Sequence, residues 1–163
     1  VTQPITYFDD FDGPNQYRFL SNFYMKPVRF EGVVYPSTEH AFQAAKSLVD
    51  RERHLIKRQS TAGKAKRIGQ QVTLDPMWET RKILVMHTLL KRKFQYGSEL
   101  AAWLVDTGDA MLIEGNTWHD QFWGDCECPK HKAQAGENWL GRLLMLVRRD
   151  LIEQHRQEED QGR

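Results

Sequence analysis

The chain has 163 residues, and its 23 Lys and Arg stand against 22 Asp and Glu for a formal net charge of +1. That length suits one domain able to bury a core without metal or disulfide staples, and the balanced charge argues against a broad nucleic-acid face while leaving room for a local basic patch. With no apolar run of membrane-spanning length and no basic-then-apolar export signal at the N-terminus, a cytoplasmic protein with no membrane partner is expected.

Residues 11–37, "FDGPNQYRFLSNFYMKPVRFEGVVYPS", are punctuated by Gly, Pro and aromatics. Within them "MKPVRFEGVVY" alternates and turns at Glu31-Gly32, the pattern of a small β-hairpin. "YPSTEHAFQAAK" then opens a helix with Ser37 as N-cap. At 100° per residue Glu39, Gln43 and Lys46 share one stripe with Phe42 beside it, and Ala41, Ala44, Ala45 and Leu48 line the opposite face. Periodicity alone favours a solvated stripe.

"RERHLIKRQS" predicts a second short helix, and "TAGKAKRIGQQ" a third with Lys64, Lys66 and Arg67 clustered on it. "DPMWETRKILVMHTLLKRKFQ" starts with Asp75 as N-cap, Pro76 at the first position and Glu79 in the first turn, and Gly97 ends it. "SELAAWLVDTG" reads as a helix stopped by Gly108, "AMLIEG" as a short strand, and "NTWHDQFWGDCECPKHKAQAG" as irregular. The last helix, "ENWLGRLLMLVRRDLIEQHRQ", carries Leu140, Leu143, Leu144, Val147 and Leu151 at helical spacing. The expected fold is mainly α, a compact single domain over 1–163 with a small N-terminal hairpin, a core of about 7–152 and a frayed solvated tail at 153–163.

The only cysteines, Cys126 and Cys128, are separated by one residue, a poor disulfide spacing. Together with His131 and His119 they have the right ligand types for zinc, but two close cysteines without a second CxxC or HxxxH pair make a weak signature. A plain surface loop with no metal is the preferred reading.

Four segments carry more polar and aromatic residues than a helical domain needs: "LSNFY", "STEHAFQAAK", "HDQFWGD" and "GENWLGRLLM". Taken singly each has a structural explanation. Ser21-Asn22 suits a turn that satisfies its own backbone, Gly124 lets a loop with Asp120, Trp123 and Asp125 turn tightly, Asn138 suits a helix cap, and Trp78 suits a core aromatic.

Jointly, "FLSNFY", "YPSTEHAFQAAK", "MWETRKILVMHTLLKRKF", "FWGD" and "GENWLGRLLMLVR" resemble the NADAR (NAD- and ADP-ribose-associated), or YbiA-like, family in order and spacing, from Phe19 to Arg148. The resemblance implies the YbiA-like helical fold and a cofactor-independent N-glycosidase acting on a phosphorylated ribose joined at C1 to an exocyclic amino nitrogen. Two substrate classes go with the family: phosphoribosylamino-pyrimidine intermediates of riboflavin synthesis, and ADP-ribose on guanine. On this resemblance Glu39, Lys46, Trp78, Asp120, Trp123 and Asp125 match family active-site positions. Asn22, Phe23, Gln43, Gly124 and Asn138 complete the substrate-binding set, and Arg67 leads Lys64, Lys66 and Arg18 as the phosphate partner.

The chemistry explains the helical stripe. An exocyclic nitrogen lone pair can open the sugar ring to an imine, which a neutral lysine attacks before expelling the amine. Lys46 is the expected nucleophile, given a lowered pKa, and Glu39 the proton carrier. The alternative is a carboxylate pair of Glu39 with Asp120 or Asp125 working through an oxocarbenium-like state.

The loop "CECPKHKAQAG" departs from shorter, glycine-rich members and offers Lys130, His131 and Lys132 for DNA. Because the long aromatic and basic loop suggests a larger substrate and no fused riboflavin-pathway domain is visible, ADP-ribosylated guanine in nucleic acid is the favoured substrate, with an ADP-ribosyltransferase toxin as the adjacent partner it suggests. Phosphoribosylated aminopyrimidine is the alternative. A module that binds ADP-ribose or NAD without cleaving it is the rival from another class.

Overall fold

The computed structural model describes residues 2–6, 8 and 16–162, so the start of the Gly-, Pro- and aromatic-punctuated stretch, residues 11–15, lies outside the described residues. The architecture is mainly α, with six helices and three two-stranded ladders among the described residues. The chain packs as two compact units, residues 21–93 and residues 1–20 with 94–163.

In the 21–93 unit, β1 (Val28–Phe30) and β2 (Val33–Tyr35) form the expected antiparallel hairpin, with Val28 opposite Tyr35 and Phe30 opposite Val33. Glu31 and Gly32 turn at φ 46° and 79°, the two positive angles that match the twist of a tight hairpin. Helix α1 (Thr38–Ala44) follows, capped by the Ser37 hydroxyl accepting from His40 N, and all seven of its residues are buried. Short α2 (Asp50–Lys57), α3 (Ala62–Gly69) and the longer α4 (Trp78–Lys93) pack around it. Small residues let α3 come close: a Cβ on Gly69 would stand 2.7 Å from Gln43 Cβ.

Asp75, expected as N-cap with Pro76 at the first helical position, stands three residues before α4, where its carboxylate accepts from Met77 N at 2.9 Å. The helix begins at Trp78, two residues after Pro76, and ends at Lys93. Gly97, at φ 77°, belongs to the turn that follows.

The other unit pairs two strands in parallel, β3 (Ile5–Thr6) and β4 (Leu112–Ile113), and a second parallel ladder joins β5 (Gly115–Asn116) to β6 (Asp125–Cys126). Helix α5 (Glu99–Asp106) is capped by Ser98, and α6 (Trp139–Gln161) buries Leu140, Leu143, Leu144, Val147 and Leu151. A Cβ on Gly141 would meet Leu112 O at 2.1 Å, so glycine at this point admits α6 to the β4 backbone. Buried Arg148 joins α6 to the α5–β4 link by donating to Thr107 Oγ1 at 2.7 Å and Ala110 O at 3.0 Å. Where a frayed tail was expected, α6 continues to Gln161 with its side chains exposed from Glu153 onward.

Candidate active site

Glu39 and Gln43 of the helical stripe are buried and Lys46 is half-buried, against the solvated face that periodicity favoured. Glu39 is 5 % exposed and Gln43 4 %, and Gln43 Nε2 donates to Glu39 Oε1 at 2.7 Å. At the N-terminal end of α1, Glu39 N donates to Asn22 O at 3.0 Å, which places the "LSNFY" turn against the carboxylate residue. That turn satisfies itself as expected, Phe23 N donating to Ser21 Oγ at 3.0 Å. It is also anchored by a residue that sequence reasoning missed, the buried Lys93, whose Nζ donates to Ser21 O at 2.6 Å.

Lys46 corrects the helical expectation. The helix stops at Ala44, Lys46 N bonds to Gln43 O at 3.3 Å in a tighter turn, and Leu48, expected on the apolar face, is exposed. The cause is distant in sequence: Asp75 N donates to Lys46 O at 2.7 Å, so that carbonyl has another partner than a continuing helix. Ser47 Oγ, donating to Glu52 Oε2 at 2.5 Å, closes the turn, and Glu52 also accepts from Thr73 N and Oγ1 at 2.9 Å each.

The ammonium of Lys46 lies 6.0 Å from the Phe42 ring centroid. Its pKa is lowered, chiefly by burial; the Glu39 charge opposes that shift, the Lys66 charge reinforces it, and Glu79 opposes it more weakly. Glu39 and Lys46 thus sense each other although they do not share one helix. Phe42 packs on Trp78 at 5.0 Å, and Trp78 is 4 % exposed, the core placement that composition favoured.

Among the cations, Arg67 is exposed on α3 and Lys64 donates to Ser60. Lys66, half-buried, is the one beside Lys46 in charge, and its Nζ stands 5.6 Å over the Phe23 ring. Arg18 is exposed and belongs to the other unit.

Two amide oxygens, Asn22 Oδ1 and Gln43 Oε1, are buried with no hydrogen-bond partner among the described residues. A buried acceptor of this kind is costly, of order 1–3 kcal/mol.

In the second unit the "HDQFWGD" loop is held by its own carboxylates. Asp120 Oδ1 accepts from Phe122 N at 3.1 Å and Trp123 N at 2.8 Å, and Asp125 Oδ1 accepts from Gly136 N at 2.8 Å. Buried Asn116, which sequence reasoning passed over, clasps Asp120 from both sides, donating to its carbonyl at 2.7 Å and accepting from its N–H at 3.1 Å. Gly124 is needed for close approach: a Cβ there would meet Glu114 O at 2.1 Å.

Asn138 departs from an ordinary cap. It sits at φ 51° without capping α6, and its side chain accepts from Glu114 N at 3.0 Å and donates to Leu112 O at 2.9 Å. In the same loop His119, Cys126, Cys128 and His131 gather as a set of metal-ligand donors.

Residues 7–152 match the family profile of the NADAR domain. The chain is 38% identical over 139 residues to N-glycosidase YbiA of Escherichia coli K12, covering 84% of this chain and 83% of that one. It is 33% identical over 155 residues to a riboflavin biosynthesis protein of Vibrio vulnificus, covering 94% of this chain and 40% of that longer one. The solved NMR structure of E. coli YbiA superposes with a TM-score of 0.76 at 34% identity, covering 95% of this chain and 89% of that one.

Proposed function

Since the chain belongs to the NADAR domain family and is a glycosidic-bond hydrolase by kinship with N-glycosidases, we propose that it cleaves the bond between C1 of a phosphorylated ribose and an exocyclic amino nitrogen. One observation carries the reading: Glu39, a buried carboxylate in the first turn of α1, lies close enough to act electrostatically on Lys46, a partly buried lysine of lowered pKa in the turn after that helix.

The steps follow from the groups present. Glu39 delivers a proton to the ring oxygen as the nitrogen lone pair opens the sugar, leaving an imine at C1. Neutral Lys46 adds to C1; the amine takes a proton and departs, and the sugar stays bound as a Schiff base on Nζ. Glu39 then takes a proton from water, which adds to C1 and expels the lysine, so the net change is addition of one water across the C–N bond. Asn22 and Gln43 hold the residue that carries this carboxylate, through the Asn22 carbonyl that accepts from Glu39 N and the Gln43 amide that donates to Glu39 Oε1. Lys66 replaces Arg67 as the preferred anion partner, because its charge reaches Lys46.

Two substrates contain this scissile unit. The riboflavin-biosynthesis name of the Vibrio relative supports a phosphoribosylamino-pyrimidine. The exposed Lys130 and Lys132 in the loop after β6 support ADP-ribosylated guanine in nucleic acid as the second reading. Incubating the protein with each substrate and following the released amine by mass spectrometry tests both. Free aminopyrimidine with ribose 5-phosphate, or unmodified guanine with ADP-ribose, is the expected product pair. Saturable binding of either substrate with no product would overturn catalysis in favour of a binding module.

A further inference from the structure

The geometry points to a structural zinc site built by His119, Cys126, Cys128 and His131. The loop expected to be plain surface brings four donors together, two sulfurs and two nitrogens, all within 4.8 Å of one another. Cys128 Sγ lies 3.2 Å from His119 Nδ1 and 3.4 Å from His131 Nδ1, and the two Nδ1 atoms are 3.4 Å apart. A tetrahedral zinc with Zn–N near 2.0–2.1 Å and Zn–S near 2.3 Å has N···N edges of about 3.3 Å and N···S edges of about 3.6 Å. The three separations among Cys128, His119 and His131 agree with these edges to within about 0.4 Å, and Cys126 Sγ lies within 4.8 Å of all three.

Hydrogen bonding accounts poorly for the same arrangement. Two imidazole Nδ1 atoms and one sulfur all face each other, so each short pair needs its own proton between atoms that are weak partners at best. A single divalent cation satisfies all the pairs at once.

The backbone is arranged for it. Cys126 lies in β6 opposite Asn116 of β5, and His119 follows β5 by three residues at φ 71°, a left-handed conformation uncommon for histidine. Cys128 opens a turn in which His131 N and Lys132 N both donate to its carbonyl at 2.9 Å, which brings His131 back over the sulfur. Both cysteines are buried, Cys126 at 1 % and Cys128 at 7 % exposure, and neither is in a disulfide.

The donor set selects the ion. Two thiolates and two imidazoles in a tetrahedron suit zinc, whereas magnesium and calcium want oxygen ligands and iron–sulfur clusters want thiolates at most positions. Four protein ligands leave no open position for a substrate, so the ion is structural. It would fasten the segment from His119 to His131, which contains Asp120, Trp123, Gly124 and Asp125.

The test uses the whole chain. Elemental analysis after purification and desalting is expected to give about one zinc per chain, and cobalt(II) put in its place to show the intense visible bands and thiolate charge-transfer absorption of a tetrahedral site. X-ray absorption at the zinc edge should fit two sulfur and two nitrogen neighbours. Cys128→Ser and His131→Ala should each lower metal retention at least about tenfold, in line with loss of one of four ligands. Should neither variant fold, the wild-type spectra decide. Zinc-incubated wild type that emerges from desalting metal-free, or an absorption spectrum with no sulfur neighbours, would overturn the assignment. Undiminished zinc in both folded variants would do the same.

Discussion

Gln43 Nε2 donates to Glu39 Oε1 at 2.7 Å, one helical turn away, with both side chains buried in α1. The bond fixes one carboxylate oxygen and helps orient the group that the proposed reaction uses to move protons. Gly69 governs this pair from α3, since a Cβ there would lie 2.7 Å from Gln43 Cβ and 2.8 Å from Gln43 Cδ. Gly69→Ala should therefore displace Gln43, destabilise the fold by about 1–3 kcal/mol as overpacking does, and reduce kcat more than it raises KM. Calorimetry and steady-state kinetics on the same preparation check this. An unchanged melting temperature with normal kcat would show that Gln43 has room to move.

The charges around Lys46 give the pH profile a direction. Activity that needs neutral Lys46 rises with pH through a pKa lying below the ordinary lysine value. Lys66 lowers that pKa, so Lys66→Met should move the rising limb to higher pH. Glu79 raises it, so Glu79→Gln should move the limb to lower pH. Opposite displacements of kcat against pH are the expected result; equal displacements, or none, would mean that another group titrates.

Buried His40 gives stability its own pH dependence. Its Nε2–H donates to Gln59 O at 3.1 Å, and in the neutral ring Nδ1 accepts from the Ser37 hydroxyl at 2.7 Å. Burial lowers its pKa below the ordinary 6.5. A lowered histidine pKa means the unfolded chain binds the proton more readily, so the contribution is complete above pH 6.5 and is lost as pH falls from there toward the lower folded value. Thermal melts of the wild type should show this decline, and His40→Gln should flatten it.

Asn138 separates a structural from a substrate role. Its side chain makes two bonds to the β4–β5 backbone, each worth about 0.5–1.5 kcal/mol net. Asn138→Ala should lower the melting temperature, with KM little changed. A large KM increase without a stability loss would return Asn138 to the substrate-contact role implied by the family resemblance.

Local chemistry made much of the fold legible in the sequence. Ser37 caps the helix it was expected to cap and Glu31-Gly32 turns the hairpin, because each acts on backbone within a few residues. What escaped depends on distant partners. The turn at Lys46 is set by Asp75 N, Lys93 reaches back to Ser21 O, and Asn138 serves the strand before it instead of the helix after it. The burial of Glu39 was equally hidden, since a polar stripe looks the same whether it meets water or three packed helices. Zinc-ligand spacing was obscured because His119 precedes the cysteines from a different strand end.

Glu39 and Lys46 are the residues whose loss should matter most. Glu39→Gln should lower kcat by about 10²–10⁴, the usual contribution of a positioned acid–base group. Lys46→Ala should abolish any covalent species while leaving the fold intact, as the side chain is only half-buried. The most direct measurement is reduction with borohydride during turnover, followed by peptide mass spectrometry. A reduced sugar phosphate or ADP-ribose adduct on Lys46, absent from Lys46→Ala, is the result this account predicts. Full turnover with no adduct at Lys46, and near-normal turnover by Lys46→Ala, would contradict it and leave a carboxylate route through Glu39.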